Sequence, residues 1–378
     1  MNRCPASVRV WICVLGSLLV RGMALGQSCT TPSFAAQTSS PLTGFMPWSS
    51  TLGDFNGDGR PDVATASSAA NTVSIALGNG AGFDPATGIT IESALTSIVS
   101  GDFNRDGKLD LAVVGGGTHV WMLLGTGTGT FGAPASIGVS PAPTGLVAGD
   151  FNRDGKLDLA YPGGNAVQVL FGNGSGGFAS LASFPAGIAP RGIVSGDFDR
   201  DGRLDLAVAN TSTNQVTVLL GSGTGSFATP LTLPVGVGPD GLTVGDFNRD
   251  GRPDIAVANQ GSTFASVLLG DGAGGFAPGP NLDGVSTAIG IASGDFDGDG
   301  RLDLAVTHFA NNFVTVHLGD GTGAFSSGND FGNVFMAHSI QVADLNHDGR
   351  MDLAIPDSGG IRLAVLLNTA GGRCPNPS

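Results

Sequence analysis

One nine-residue motif occurs seven times, and its spacing dictates what the rest of the chain can be. The copies are DFNGDGRPD from Asp54, DFNRDGKLD from Asp102 and again from Asp150, DFDRDGRLD from Asp197, DFNRDGRPD from Asp246, DFDGDGRLD from Asp295 and DLNHDGRMD from Asp344, so successive starts lie 47 to 49 residues apart. Such regularity leaves no room for an inserted second domain, and residues 27–378 read as one architecture of seven units. Glycine supplies the turns, with 63 in 378 residues, more than twice the usual share of roughly 7%.

Each unit runs from a short apolar stretch ending in Gly-Asp-Phe, through the acidic motif, to an apolar run such as Leu206-Ala207-Val208, a polar turn and a third strand such as NQVTVLL from Asn214 to Leu220. A glycine-rich turn ending in phenylalanine and a weaker fourth stretch complete it. Four short strands per repeat with no helical periodicity predict an all-β, seven-bladed propeller. Aligned third strands place Val73, Val120, Val167, Val216, Ala265, Val314 and Leu363 at one position, with Ile75, Met122, Val169, Val218, Val267, Val316 and Val365 two residues on. The residue between varies, which is the period-2 register of a sheet packed on at least one face.

The ends of the chain complement one another. The last repeat stops after its third strand, Ile361 to Leu367, while Pro32 to Phe55 has the layout of the segment that carries a fourth strand elsewhere. Residues from about Ser33 to Leu42 are therefore expected to supply the outer strand of the last blade. Before them, Met1 to Gly26 has a basic start, an apolar run Val10 to Val20 and a small-residue cleavage site, the pattern of a secretory signal peptide; a lipid anchor at Cys29 is the alternative. The chain is expected to be secreted or held at the cell surface, with no transmembrane segment after cleavage. Cleavage leaves Cys29 and Cys374, one near each end, and these are expected to form a disulfide across the closure, the alternative being two free thiols.

In every motif oxygen-bearing side chains stand at positions 1, 3, 5 and 9, glycine at 6 permits a sharp turn, and position 7 offers its backbone carbonyl. A hard cation such as calcium takes about six or more oxygens at roughly 2.4 Å. The candidate ligands are Asp54, Asn56, Asp58, Arg60 and Asp62 in the first loop; Asp102, Asn104, Asp106, Lys108 and Asp110 in the second; and Asp150, Asn152, Asp154, Lys156 and Asp158 in the third. They continue with Asp197, Asp199, Asp201, Arg203 and Asp205; Asp246, Asn248, Asp250, Arg252 and Asp254; Asp295, Asp297, Asp299, Arg301 and Asp303; and Asp344, Asn346, Asp348, Arg350 and Asp352. Position 12 holds Thr65, Val113 or Tyr161 where a helix-loop-helix calcium site needs a glutamate. The alternative for some loops is an Asx-type turn held by side-chain to backbone bonds.

Charge points the same way. The net charge of -14 comes from 31 acids against 17 bases, 23 of the acids lie in the loops, and signal cleavage removes three arginines and no acid. The remaining -17 would fall to -3 with seven divalent ions, and without them three or four carboxylates crowd each loop. Such a balance argues against a nucleic-acid partner. With 41% hydrophobic residues and only 13% charged, the composition is also not that of a disordered chain.

These motifs, with the turns ending in Phe83, Phe131, Phe178, Phe227, Phe276 and Phe325, resemble FG-GAP or VCBS repeats, the class that includes the calcium-binding propeller of integrin alpha subunits. The resemblance covers nearly everything after the signal peptide. It implies seven blades with up to seven calcium ions on one face and partner binding on the other. The seventh repeat departs, with Leu345 for phenylalanine and no terminal phenylalanine in its turn.

Such scaffolds serve several functions, and residues outside the repeat template must discriminate among them. Phe45, Met46 and Trp48 before the first blade, Phe335, Met336 and His338 before the seventh, and His308 and Phe309 in blade six are expected to be neighbours on the face away from the loops. They form a candidate contact site for a protein or glycan, or else fill the rim of the channel. Acid-base chemistry needs converging titratable groups, and outside the loops there is no lysine and there are eight acids. A non-catalytic binding module is the expectation, with a lyase-like carbohydrate-active enzyme or a structural envelope protein as alternatives.

Overall fold

The computed structural model of the chain describes residues 32–92 and 94–370. The expected signal peptide and the expected Cys29 to Cys374 disulfide lie outside the described residues.

Strands account for all the regular structure among the described residues, arranged as seven antiparallel sheets of which six have four strands. Blade 1 is typical, running outward from Pro47–Gly53 through Asp62–Ser67 and Thr72–Ala76 to Thr87–Thr90. In blade 5 the outer strand is split into Phe276–Pro278 and Leu282–Asp283, making five. Each innermost strand touches those of both neighbours, and the first touches the last, so the ring closes.

Closure follows from the N-terminal segment. Thr38–Pro41 pairs antiparallel with Arg362–Leu366, Thr38 opposite Val365 and Pro41 opposite Arg362, and Phe34 bridges to Asn368 beyond. The last sheet thus takes one strand from the start of the chain and three from its end.

The second strand of every blade is buried along its whole length. Packing on both faces explains why the third-strand position expected to be variable is buried too, at Ser74, Gln168, Thr217, Ser266, Thr315 and Ala364. Buried hydroxyls there need partners. Asn210 Nδ2 donates to Thr217 Oγ1 at 2.8 Å and Asn259 Nδ2 to Ser266 Oγ at 3.0 Å. In blade 6 His308 takes the place of those asparagines, its Nε2 lying 2.8 Å from Thr315 Oγ1 and its Nδ1 2.7 Å from the Ser286 carbonyl.

Neighbouring blades interlock through phenylalanines. The Phe of each acidic motif meets, edge to face or tilted, the Phe that ends the next blade's glycine turn: Phe55 with Phe131, Phe103 with Phe178, Phe151 with Phe227, Phe198 with Phe276 and Phe247 with Phe325, at 5.6 to 6.3 Å between centroids. The turn expected to lack this residue is served from the other end of the chain, for Phe34 stands 6.3 Å from Phe296. Burying an aromatic ring of this size is worth about 2 kcal/mol or more, so the pairs join blades as well as filling space.

Candidate functional site

The acidic motifs all lie between the first and second strands, at one end of the channel. Residues 4 and 6 of each loop adopt positive φ: Gly59 is at 84°, Gly107 at 81° and Gly300 at 82°, while Arg105, Arg200 and His347 hold 60° to 63° at position 4. A Cβ on Gly59 or Gly107 would meet nothing within 4 Å, so glycine is needed there for its backbone freedom and not for space. The curl turns backbone N–H groups inward. In the first loop Asp54 accepts from Asp58 N at 3.1 Å and Gly59 N at 2.8 Å, Asn56 Oδ1 from Asp58 N, and Asp58 Oδ1 from Arg60 N. These are the Asx-type bonds weighed as an alternative; Asp54 Oδ1 also accepts from Gly57 N at 2.7 Å and so spends both lone pairs, while Asp54 Oδ2, Asn56 Oδ1 and Asp58 Oδ1 each keep one for a cation.

Two loops bring three carboxylates together. In loop 4 the carboxylates of Asp197, Asp199 and Asp205 offer oxygens all within 4.8 Å of one another, and in loop 6 those of Asp295, Asp297 and Asp303 do the same; among the described residues these are the two such acidic groups. Both have aspartate at position 3 where the other five loops have asparagine. Position 5, expected to be a ligand, stands outside both triads and faces the base at position 7: Asp201 meets Arg203 at 3.0 Å, Asp154 meets Lys156 at 3.0 Å, and Asp299 meets Arg301. The donor set is all oxygen, which fits a hard divalent cation.

Position 9 has a second duty. Asp62 is fully buried, and its two oxygens accept from Phe55 N and Gly78 N at 2.8 Å each, tying the loop to the end of the third strand. Asp110, Asp158, Asp205, Asp254, Asp303 and Asp352 repeat this. Burial pushes these carboxyls up, with repulsion from the loop's other acids adding to it and the two N–H bonds opposing. Asp158, Asp205 and Asp352 rise to about 6 and Asp303 to about 8. The charged form is therefore poorly accommodated by the protein alone, a condition that a bound cation would relieve.

At the other end the channel opens into a well of about 540 Å³. Counting six residues back from each motif gives Trp48, Thr96, Thr144, Arg191, Asp240, Ile289 and His338, one from each blade, and all seven line it. In five blades the strand register shifts at this point, between Pro47 and Ser49, Leu95 and Ser97, Pro190 and Ile193, Pro239 and Leu242, and Ala288 and Ile291. Such bulges free a residue from the ladder and re-aim its side chain. A Cβ on Gly192 would come within 1.9 Å of the Asp240 carbonyl, so glycine lets these inner strands approach.

Trp48 and His338 stack with centroids 3.4 Å apart and planes 19° from parallel, and Phe309 packs on His338 at 5.0 Å. Opposite chemistry sits on the same ring, where Arg191 Nη1 donates to Asp240 Oδ2 at 3.2 Å. Burial, reinforced by Arg191, pushes His338 down to about 4, so it is neutral at physiological pH; its Nε2 has no hydrogen-bond partner. Burial pushes the Asp240 carboxyl up, against the pull of Arg191.

The expected contact residues divide accordingly. Trp48, Phe309 and His338 come together, and Phe45 and Phe335 are exposed at 51% and 36%. Met46 and Met336 are half-buried with φ of 55° and 52°, turning the chain into the inner strand. His308 is 1% exposed and bonded through both ring nitrogens, so it belongs to the blade's interior and not to a contact surface. The sequence reading missed Arg191 and Asp240; comparing the seven residues at this one repeat position would have found them.

The profile described as FG-GAP-like repeat matches six overlapping stretches, residues 54–113, 102–161, 150–208, 197–257, 246–306 and 295–355. None of the curated proteins matches the sequence. Among solved structures, the BBS1N chain in complex with ARL6DN is similar at 12% identity and a TM-score of 0.65, over 92% of this chain and 99% of that one. A lectin from Agrocybe aegerita, described as recognising non-reducing terminal N-acetylglucosamine, is similar at 18% identity and a TM-score of 0.53, over 79% and 80%. A functionally unknown protein from Desulfotomaculum acetoxidans is similar at 12% and 0.52, over 87% and 96%.

Proposed function

Because the chain belongs to the family of FG-GAP-like repeat proteins, we propose that it is an exported propeller, stabilised by up to seven calcium ions, that binds a protein or glycan partner without transforming it. The observation that carries the metal half is the meeting of three carboxylates in loops 4 and 6, beside ninth-position carboxyls that burial already drives toward neutrality. Calcium supplies positive charge there; the loop residues at positions 1, 3 and 9 hold it, and the position-5 to position-7 ion pairs balance charge outside. Export rests on the pattern of Met1 to Gly26. Among the described residues no helix is long and apolar enough to cross a membrane.

Binding is favoured over scaffolding because the mouth opposite the loops differs from blade to blade, which a purely structural ring would not need. Catalysis is disfavoured because Asp240 is held by Arg191 and His338 is kept neutral and stacked, leaving no free acid-base couple at that mouth. Structural neighbours are described with a protein partner and with a sugar, and both classes remain within the proposal. Calorimetric titration of chelator-stripped protein, with native mass spectrometry to count ions, tests the metal half. Uptake of several calcium ions per chain is expected, and a stripped protein that takes up none would refute it.

A further inference from the structure

We propose that the well at the mouth opposite the acidic loops is a binding site for a neutral pyranose sugar, held between the Trp48 indole and the Arg191 and Asp240 pair. This rests on the binding-module reading above and narrows it from two partner classes to one, at a stated place. The first support is size: about 540 Å³ falls within the range of roughly 300 to 1,000 Å³ usual for small-ligand pockets and has room for one or two sugar rings.

The second support is charge. Among the residues that line the well, the ionisable ones are Arg191, Asp240 and His338. Arg191 and Asp240 pair at 3.2 Å and burial keeps His338 neutral, so no side chain lining the well carries an unpaired charge with which to attract an ion. A strongly charged ligand would leave water without compensation, whereas a neutral polar one would not.

The third support is the arrangement of donors and acceptors. The ion pair engages one nitrogen of Arg191 and one oxygen of Asp240, and the two side chains remain 51% and 19% exposed. Adjacent N–H donors and a carboxylate oxygen match the alternating donor and acceptor character of vicinal hydroxyls. Ser49, Thr96 and Ser97 add hydroxyl-bearing residues to the lining, whereas Thr144 Oγ1 already donates to the Pro190 carbonyl at 2.8 Å. Trp48, half-buried and stacked on His338, presents the rigid apolar surface that the C–H face of a pyranose needs. An apolar collar of Ile98, Leu146, Leu242 and Ile291 lines the well as well, so a sugar would be partly desolvated.

Calcium-loaded protein is to be screened by saturation-transfer NMR and calorimetry against the methyl glycosides of glucose, galactose and mannose, and against glucuronic acid. Binding of at least one neutral glycoside in preference to glucuronic acid is expected. Trp48→Ala should weaken it at least tenfold. Asp240→Asn, which leaves the Arg191 charge unbalanced, should weaken the neutral sugar and strengthen glucuronic acid, a change of preference that mere structural damage would not produce. Absence of any sugar binding, a wild-type preference for glucuronic acid, or binding unchanged in both variants would overturn the proposal. Melting the same samples with and without calcium separates the two claims: a calcium shift without sugar binding removes only this inference, and sugar binding without a calcium shift removes only the metal reading.

Discussion

The two ends of the channel are made from the same seven strands and have opposite characters. At the loop end the copies nearly coincide: aspartate at 1, 5 and 9, glycine at 6 and a base at 7 in every blade. At the mouth, six residues earlier, the same repeat carries tryptophan, threonine twice, arginine, aspartate, isoleucine and histidine. A feature that every blade repeats serves what every blade needs, which is to be held to its neighbours. A position that varies among the blades is not fixed by that common need, even where it links two neighbours as Trp48 links to His338 and Arg191 to Asp240, and is available for a ligand with no sevenfold symmetry.

The sharpest way to break this contrast is to remove the metal. Each ion at a hundredfold excess over its dissociation constant contributes about 2.7 kcal/mol, and for a chain of this size 1 kcal/mol moves the midpoint by roughly 1 to 2 °C. EGTA should therefore lower the melting temperature by on the order of 10 °C or more by calorimetry. An unchanged melt would mean that the loops stabilise the ring as turns alone.

Next in size is Asp254→Ala, which deprives the buried N–H groups of Phe247 and Gly270 of their acceptor. Each orphaned group costs about 1 to 3 kcal/mol, so urea denaturation in EGTA should show a loss of about 3 kcal/mol. Asp246→Ala, at the half-buried start of the same loop, should cost less than about 1 kcal/mol under those conditions. A loss for Asp254→Ala as small as that expected for Asp246→Ala would show that position 9 has no role beyond the metal.

A smaller effect concerns pH. A carboxyl whose value is raised in the folded state contributes stability below its unfolded value near 4, and loses it as pH rises through the folded value. With Asp158, Asp205 and Asp352 at about 6 and Asp303 at about 8, chelated protein should lose stability between pH 5 and pH 8. Calcium competes with protons for the same oxygens, so its benefit should widen over that window. Melting curves with and without EGTA that run parallel across it would contradict the assignment. Smallest of all, Trp48→Ala should cost only about 1 kcal/mol, mostly its stacking on His338, and should leave the calcium response untouched.

Much of the fold was legible because it is periodic. Blade number, the order of strands and the borrowed strand from about Ser33 to Leu42 follow from repeat spacing, and that strand is found at Thr38–Pro41. What escaped depends on partners that a count of side-chain types does not include. Position 9 reads as one more oxygen donor until the buried N–H groups of Phe55 and Gly78 are seen to require it. His308 reads as a surface aromatic until it falls in register with Asn210 and Asn259 against the third strand. Arg191 and Asp240 read as ordinary template residues because the bulge that turns them into the channel leaves no mark in the hydropathy pattern.

The borrowed strand also sets an order of assembly. Thr38–Pro41 emerges from the ribosome ahead of every blade, yet its hydrogen-bonding edge, Arg362–Leu366, is among the last segments made. For nearly the whole of synthesis, and of passage through a membrane if the chain is exported as proposed, that segment lacks its ladder partner and has only side contacts to blade 1, such as Ser40 Oγ to the Phe83 carbonyl, while Phe34 waits for Phe296 and Phe331. The ring can begin to stack from its middle, but it latches only when the tail arrives, and a chain truncated before residue 362 would keep both its first strand and its last blade unfinished.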